Sequence, residues 1–467
     1  MNKTSHTDTI HPDNFLESLG KSKQVFLSFA ARISPINFNL LLDNFALKSN
    51  DVFYFSQPDK KITFLSFDEL TIQTFESGEF KIISEEIEVL KKKLISNHSE
   101  FPDVNFPVFL TCAKFPVNKS ADEWKDFGEI DFIIPRFSLF KQSDSFYLLY
   151  NLLTKSFSNS ENINLLLEQQ AEKIYQLEAR LKGNNDDKSV ISLIEQMDDE
   201  TNWNKKVSDS IDAIKQKKIE KIVLSRRLKF EIQSELNWQN TFKQLDEKYP
   251  NCTNFLLKSG DSIFFGSTPE LLAEFSGNQF FTEALAGSIM RGINADEDNN
   301  LENELLESKK NKVEHDEVTN HIKSSLKNFL ENIEIDENPV VKKFSNIQHL
   351  QTRIRGKLKT DTDIFDIINS MFPTPAVCGI PKEKTLQLIR EFEDFDRGLY
   401  SGLIGWFNCQ GSGEFNVAIR SALINKNLMY AYAGCGIVED SNPHEEYEET
   451  KLKLKPILSL FDNANKS

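Results

Sequence analysis

Four short strand patterns that follow one another closely constrain the fold of this chain more than any other feature. They cover residues 254–258, 262–266, 271–275 and 279–285, with glycine in the turns at 260 and 277. Strands joined by such short connections pair as antiparallel hairpins, because a parallel pair needs a crossover of a dozen or more residues. Helical patterns at 203–218 and about 302–330 flank the series. Together these elements predict an α+β fold rather than a doubly wound parallel sheet.

The first part of the chain carries strand patterns of the same kind. Short aromatic strands are predicted at 25–29, 52–55, 62–67 and 132–137, and a helix at 163–181. The 38 phenylalanines among 467 residues favour a thick, sheet-rich interior. The polar stretch at 183–187 is the best candidate boundary, so we expect two regions, 1–190 and 200–460.

Charge and cysteine usage exclude several classes of protein. A net charge of -16 argues against nucleic acid or an anionic membrane as the partner. The five cysteines are scattered without the spacing of a zinc site or a disulfide framework. No apolar run of about 18 residues predicts a membrane span, and the N-terminus lacks an apolar signal core. We therefore expect a cytoplasmic protein.

The segment 432–453 holds the densest set of residues able to support chemistry. Ser441-Asn442-Pro443 is a helix-start signal, with proline at the first helical position. In the helix that follows, Glu446, Glu449 and Lys453 share one face. That face offers two carboxylates to a hard cation and an ammonium to an anion. Taken alone, acidic residues in a first turn also fit a second interpretation, in which they complement the helix dipole.

Four other residues are ambiguous when each is considered singly. Lys221 begins a β-branched strand pattern and could simply be exposed, and Glu270 could be an ordinary turn acid after Pro269. Glu314 and His315 lie beside the apolar stripe of the 302–330 helix. Glu314 could turn to solvent, and His315 could be a core histidine with a satisfied hydrogen bond.

Nine ordered segments of the chain resemble the chorismate-utilising enzymes. The segments include Lys-Ile-Val-Leu-Ser-Arg, Phe-Gly-Ser-Thr-Pro-Glu-Leu-Leu, Pro-Thr-Pro-Ala-Val-Cys-Gly-Ile-Pro and Phe-Asp-Arg-Gly-Leu-Tyr. In full they are 221–226, 265–272, 282–292, 314–318, 347–352, 373–381, 395–406, 417–422 and 432–453. The resemblance covers about residues 200–460, the chorismate-binding catalytic region. Residues 1–190 match nothing specific, as is usual for the variable N-terminal part of that family.

The resemblance implies a fold and favours one branch of the family. It implies two large antiparallel β-sheets packed face to face with flanking helices, with residues 1–190 contributing strands to the same sandwich. The Pro-Thr-Pro-Ala stretch at 373–376 and Lys221 are typical of isochorismate synthases. The segment 284–288 offers no nucleophilic lysine, and no glutaminase-like stretch would supply ammonia. Salicylate synthase, which goes on to eliminate pyruvate, and a catalytically silent chorismate-binding protein remain alternatives.

The same resemblance implies a role for each site residue. Lys221 would activate water as the base, Glu270 would protonate the departing hydroxyl, and His349, expected on a loop, would lie beside the ring. The implied Mg²⁺ ligands are Glu314, Glu449 and Glu446, and the implied substrate-binding residues are Gly287, Ser288, Arg420, Gly434 and Lys453. Relatives make a monomer or homodimer plausible, and both menaquinone and siderophore pathways remain open.

Overall fold

The computed structural model describes residues 25–44, 46–75, 80–117, 121–154, 161–181, 188–196, 199–345 and 347–462. In chain order the strands are β1 (Val25–Ile33), β2 (Val52–Gln57), β3 (Ile62–Phe75), β4 (Leu94–Ser96), β5 (Phe109–Ala113), β6 (Ile130–Gln142), β7 (Ser145–Thr154), β8 (Ile191–Gln196), β9 (Lys221–Ile232), β10 (Thr253–Ser259), β11 (Ser262–Thr268), β12 (Leu271–Ser276), β13 (Gln279–Met290), β14 (Leu330–Ile335), β15 (Val340–Lys343), β16 (Ile347–Leu358), β17 (Gly379–Ile380), β18 (Leu403–Phe407), β19 (Gly413–Val417), β20 (Ser421–Asn425) and β21 (Leu428–Ile437). The α-helices are α1 (Phe38–Asn44), α2 (Lys81–Lys91), α3 (Glu161–Arg180), α4 (Glu200–Lys215), α5 (Trp238–Lys248), α6 (Ala295–Glu307), α7 (Lys309–Leu326), α8 (Ile364–Met371), α9 (Lys382–Phe392) and α10 (Pro443–Leu458).

The strands form two sheet layers that share β3 and β6. The first layer runs β8-β9-β21-β20-β11-β10-β2-β3-β6-β7-β1-β4. The second runs from the other halves of β3 and β6 through β5, β18, β19, β12, β13 and β16 to β14 and β15. Among the described strands, the pairings are antiparallel except that of β1 with β4, so the expected α+β class with two large antiparallel sheets is confirmed.

Alternation along the strands explains why the first layer is covered on both faces. On β2, Phe53 and Phe55 belong to the core between the layers, whereas Tyr54 belongs to the core beneath the outer helices. Successive side chains of a strand point to opposite faces, so an uninterrupted aromatic strand supplies both cores. Phe26 on β1 stacks on Phe109 of β5 at 5.7 Å between ring centroids, which joins the two layers. The abundance of phenylalanine therefore serves two cores.

The expected helix at 302–330 is wrong as a single element. It is divided at Ser308, whose backbone is extended (φ -62°, ψ 113°) and therefore ends α6. The Ser308 hydroxyl accepts a hydrogen bond from the Asn311 amide at 3.3 Å and caps the start of α7. The chain leaves α7 at Leu326 and enters β14 at Leu330. The apolar stripe is present, but only α7 carries it.

One further expectation is corrected by the strands. Strand β13 continues through 286–288 to Met290 with a bulge at Gly287, where φ is +69°. His349 lies on β16 and not on a loop, directly opposite Ser288 in the ladder. The suggested boundary at 183–187 falls outside the described residues, so the division into 1–190 and 200–460 stays a prediction.

Among the described helices, none combines the length and the apolar character needed to cross a membrane.

Candidate active site

Lys221 is buried at the start of β9, so the interpretation of an exposed lysine is wrong. It is 4% exposed, and its Nζ lies 2.9 Å from Glu314 Oε1 on α7. The facing strand β21 makes room for it at Gly436, where a Cβ atom would lie 2.7 Å from Lys221 Cε. Glycine at this position therefore allows an ammonium to occupy the space between strand and helix.

Glu270 lies in the short connection between β11 and β12, and the surrounding chain fixes its backbone. Its amide donates to Thr268 Oγ1 at 3.2 Å, and its carbonyl accepts from the Val417 amide at 3.0 Å. The side-chain Oε1 accepts a hydrogen bond from Thr374 Oγ1 at 3.1 Å. Burial raises the pKa of the Glu270 carboxyl to about 7, although the Thr374 hydrogen bond opposes that rise. A carboxyl with this pKa can hold a proton near neutral pH.

His349 and Ser288 face each other across β13 and β16. Ser288 Oγ lies 2.9 Å from His349 Nδ1. Burial, together with the positive charges of Arg420 and Lys453, lowers the pKa of His349 to about 3. The imidazole is therefore neutral at physiological pH. The bulge at Gly287 brings its backbone close to Asn311, because a Cβ on that glycine would lie 2.9 Å from Asn311 Cβ.

Helix α10 carries a charged pair toward β21. Asn442 caps the helix by accepting from the His444 and Glu445 amides, as the sequence signal predicted. Lys453 Nζ lies 2.6 Å from Glu449 Oε1 and donates to the Gly434 carbonyl at 3.0 Å. Gly434 thus presents its carbonyl to the lysine.

Charges rather than burial decide the ionisation of this pair. Burial alone would raise the pKa of Glu449, but the positive charges of Lys453 and Arg420 outweigh it and lower that pKa. Burial would likewise lower the pKa of Lys453, yet Glu449 raises it. Both groups are therefore ionised in the folded protein.

Arg420 brings a further positive charge into the same cleft. It lies between β19 and β20 with φ +51°, and its carbonyl accepts from the Ser267 amide at 3.1 Å. Arg420, Lys453 and Lys221 each act to lower the pKa of Glu270 against burial. The charges of three cations from separate parts of the chain therefore act on one carboxyl.

The carboxylates expected to bind Mg²⁺ have oxygen donors of the type this ion prefers. Glu446 accepts from Ser441 Oγ at 2.8 Å, and burial followed by the Glu449 charge raises its pKa. Glu314 and Glu449 each already hold a lysine ammonium. Within the described ranges no three His, Cys, Asp or Glu side chains are grouped closely enough to hold a metal. The oxygen donors of Glu314 and Glu449 therefore fit a hard cation, and each of these carboxylates also contacts a lysine ammonium.

Two contacts of this site were missed by the sequence analysis. Thr374 was noted only as part of Pro-Thr-Pro-Ala, yet it contacts Glu270 across 104 positions of the chain. Tyr400 is 3% exposed, and its hydroxyl would lie 3.1 Å from a Cβ at Gly434. Neither residue type is distinctive, so only their presence in the quoted segments could have drawn attention to them.

Comparison with known proteins agrees with this geometry. A family model described as chorismate binding enzyme matches residues 14–462. The chain belongs to this family. Isochorismate synthase MenF of Bacillus subtilis is 32% identical over 460 residues, which cover 96% of each chain. The salicylate biosynthesis isochorismate synthase of Pseudomonas aeruginosa is 38% identical over 252 residues, 54% of this chain and 53% of that protein.

A solved structure supports the fold independently. The menaquinone-specific isochorismate synthase MenF of Escherichia coli superposes with a TM-score of 0.75, covering 96% of this chain and 98% of its own. Its sequence identity is 22%, so this likeness bears on the architecture alone. The resemblance to chorismate-utilising enzymes and the fold that it implied are both confirmed.

Proposed function

We propose that this chain is an isochorismate synthase, which converts chorismate into isochorismate with Mg²⁺. The observation that carries the proposal is Glu270, a carboxyl with a pKa of about 7 on which the charges of three cations act. Such a group can act as a general acid near neutral pH, while the cations attract a substrate with two carboxylates. The full-length similarity to MenF of Bacillus subtilis supports the same activity.

The reaction needs one proton removed and one proton supplied. Once its ammonium has given up a proton, Lys221 takes a proton from the water that attacks one ring carbon. Glu270 gives its proton to the hydroxyl leaving another ring carbon, so that a water molecule departs. The added hydroxyl and the lost hydroxyl balance, and the product is an isomer of the substrate. Glu314, 2.9 Å from Lys221, stabilises the ammonium formed.

The remaining residues bind and orient the substrate. Arg420 and Lys453 are the candidates for charge-assisted hydrogen bonds to its carboxylates. His349, neutral and held by Ser288, would lie beside the ring without adding charge. At the Gly287 bulge, the backbone would come close to the substrate.

Glu314 and Glu449 would hold Mg²⁺ together with water, and Glu446 would help to position that shell. When bound, the ion would clamp and polarise the ring carboxylate of the substrate. Glu314 and Glu449 would both supply oxygen ligands, and each of them also contacts a lysine ammonium. We therefore expect metal affinity to depend on both carboxylates together.

Product analysis tests the proposal. Purified protein is incubated with chorismate and Mg²⁺, and the products are separated by liquid chromatography. We expect isochorismate to accumulate to an equilibrium mixture, without pyruvate. Formation of salicylate and pyruvate by the protein alone would identify a salicylate synthase instead. Chorismate binding without any turnover would identify a silent binding protein.

A further inference from the structure

The strand that carries Lys221 has a gap along one edge. On that edge, β17 pairs with Lys221 and Ile222, and β8 pairs with residues 228–232. In the described part of the chain no strand pairs with the intervening residues 223–227 on this side. Buried backbone groups need hydrogen-bond partners, so other groups must satisfy this stretch of β9.

A buried ion pair occupies the gap. Glu393 and Arg397 are 1% and 0% exposed, and Arg397 Nε donates to Glu393 Oε2 at 2.8 Å. The Ser225 amide donates to Glu393 Oε1 at 2.7 Å, and Arg397 Nη2 donates to the Val223 carbonyl at 2.8 Å. The two side chains thus replace a neighbouring strand for the residues that follow Lys221.

The same guanidinium holds the segment that contacts Glu270. Arg397 Nη1 donates to the Val377 carbonyl at 2.8 Å. The amides of Val377 and Cys378 donate to the Thr374 carbonyl at 3.1 and 2.9 Å. Thr374 Oγ1 in turn donates to Glu270 at 3.1 Å. A single rigid planar group is therefore bonded to the Lys221 strand and to the Thr374 segment at once.

We propose that the Glu393–Arg397 ion pair positions Lys221 and Glu270 relative to each other for the reaction. This inference rests on the proposed function, because it assigns those two residues opposite roles in proton transfer. Glu393 and Arg397 are both positioning residues, since neither of them contacts the Lys221 amine or the Glu270 carboxyl directly. Small displacements of reacting groups cost large factors in rate, so the pair should affect turnover more than binding.

Arg397→Lys tests the inference. Lysine keeps the charge, but one ammonium cannot reproduce the planar fork that contacts Glu393, Val223 and Val377 together. We expect kcat to fall at least tenfold, whereas KM for chorismate changes less than threefold because Arg420 and Lys453 are untouched. Glu393→Gln, which keeps an oxygen for the Ser225 amide, is the second variant should Arg397→Lys not fold, with a smaller loss of kcat expected.

Arg227→Lys is the matched control. Like Arg397, Arg227 is a buried arginine. It lies on β9, is paired with Glu123, and its guanidinium is 4.8 Å from the Tyr430 ring centroid. It should lower stability to a similar degree while leaving kcat within twofold. An equal loss of kcat in Arg227→Lys would reduce the role of Arg397 to general stability and overturn the inference.

A double variant and hydrogen exchange complete the test. Thr374→Val removes the hydrogen bond to Glu270, so combining it with Arg397→Lys should cost less than the product of the two single losses. Independent of catalysis, Arg397→Lys should speed exchange at the Val223, Ser225 and Cys378 amides, and Arg227→Lys should not.

The two proposals can fail separately. Wild-type protein that makes no isochorismate refutes the proposed function, and the exchange rates then still decide whether Arg397 holds both segments. Active wild type with unchanged kcat and unchanged exchange in Arg397→Lys refutes the positioning role alone.

Discussion

Replacing Glu270 with glutamine should lower turnover by orders of magnitude and at the same time stabilise the protein at alkaline pH. Burial raises the pKa of this carboxyl from 4.5 to about 7. The unfolded chain therefore loses the proton at lower pH than the folded protein. The stabilising effect of the neutral carboxyl is fully present below pH 4.5 and is lost as the pH rises through about 7.

The size of the effect follows from the difference between the two pKa values. A rise from 4.5 to about 7 corresponds to an upper limit of about 3 kcal/mol at pH 8. Glu270 is partly exposed, so solvent screening should reduce this to on the order of 1–2 kcal/mol. Glutamine cannot ionise and avoids that cost. The free energy of unfolding of Glu270→Gln should therefore rise by this amount relative to that of wild type between pH 5 and pH 8.

Urea unfolding of wild type and Glu270→Gln at pH 5, 6.5 and 8, without substrate or metal, measures the difference. Glu337→Gln is the control, because Glu337 is exposed and should show no pH-dependent gain. Turnover of Glu270→Gln should fall by about 10²–10⁴-fold, since the amide has no acidic proton to give. A stability difference that is the same at pH 5 and pH 8 would refute the assignment of Glu270 as the acid with a raised pKa.

Four other substitutions and removal of the metal test the rest of the site. Lys221→Ala should abolish isochorismate formation while chorismate affinity by calorimetry stays within about threefold, and substantial turnover would remove its role as base. Glu314→Gln and Glu449→Gln should each raise the Mg²⁺ concentration required for activity. The double variant should raise it little further, whereas the effects of two independent surface charges would be additive. Chelator should abolish turnover reversibly. Gly436→Ala places a methyl group 2.7 Å from Lys221 Cε, so kcat should fall at least tenfold with an unchanged circular dichroism spectrum.

Local patterns in the sequence predict the elements that depend on local forces. The four strands predicted from 254 to 285 all lie within observed strands, because alternation and glycine turns act over a few residues. Two of the three connections form hairpins, β10–β11 and β12–β13, whereas β11 pairs with β20 and β12 with β19 instead of with each other. The start of α10 is likewise set by Asn442 and Pro443. The division at Ser308 was missed because a serine in a charged helical pattern reads equally well as a surface residue or as a cap.

Contacts that join distant parts of the chain could not be predicted in this way. Lys221 and Glu314 lie 93 positions apart, and Thr374 meets Glu270 across 104. Whether a lone lysine or glutamate is exposed or buried depends on which strands become neighbours, and no short pattern contains that information. The nine ordered segments supplied the expectation that these residues belong together, and the fold explains how they meet.

The local charge around Glu270 links substrate binding to the acid. The chain has a net charge of -16, yet the positive charges of Arg420, Lys453 and Lys221 act on this carboxyl. Their charges oppose the rise in pKa that burial produces. Substrate carboxylates bound to Arg420 and Lys453 would offset those charges, so the pKa of Glu270 should rise further when chorismate enters. In the proposed reaction, the substrate would thereby strengthen the hold of Glu270 on the proton that the leaving hydroxyl later receives.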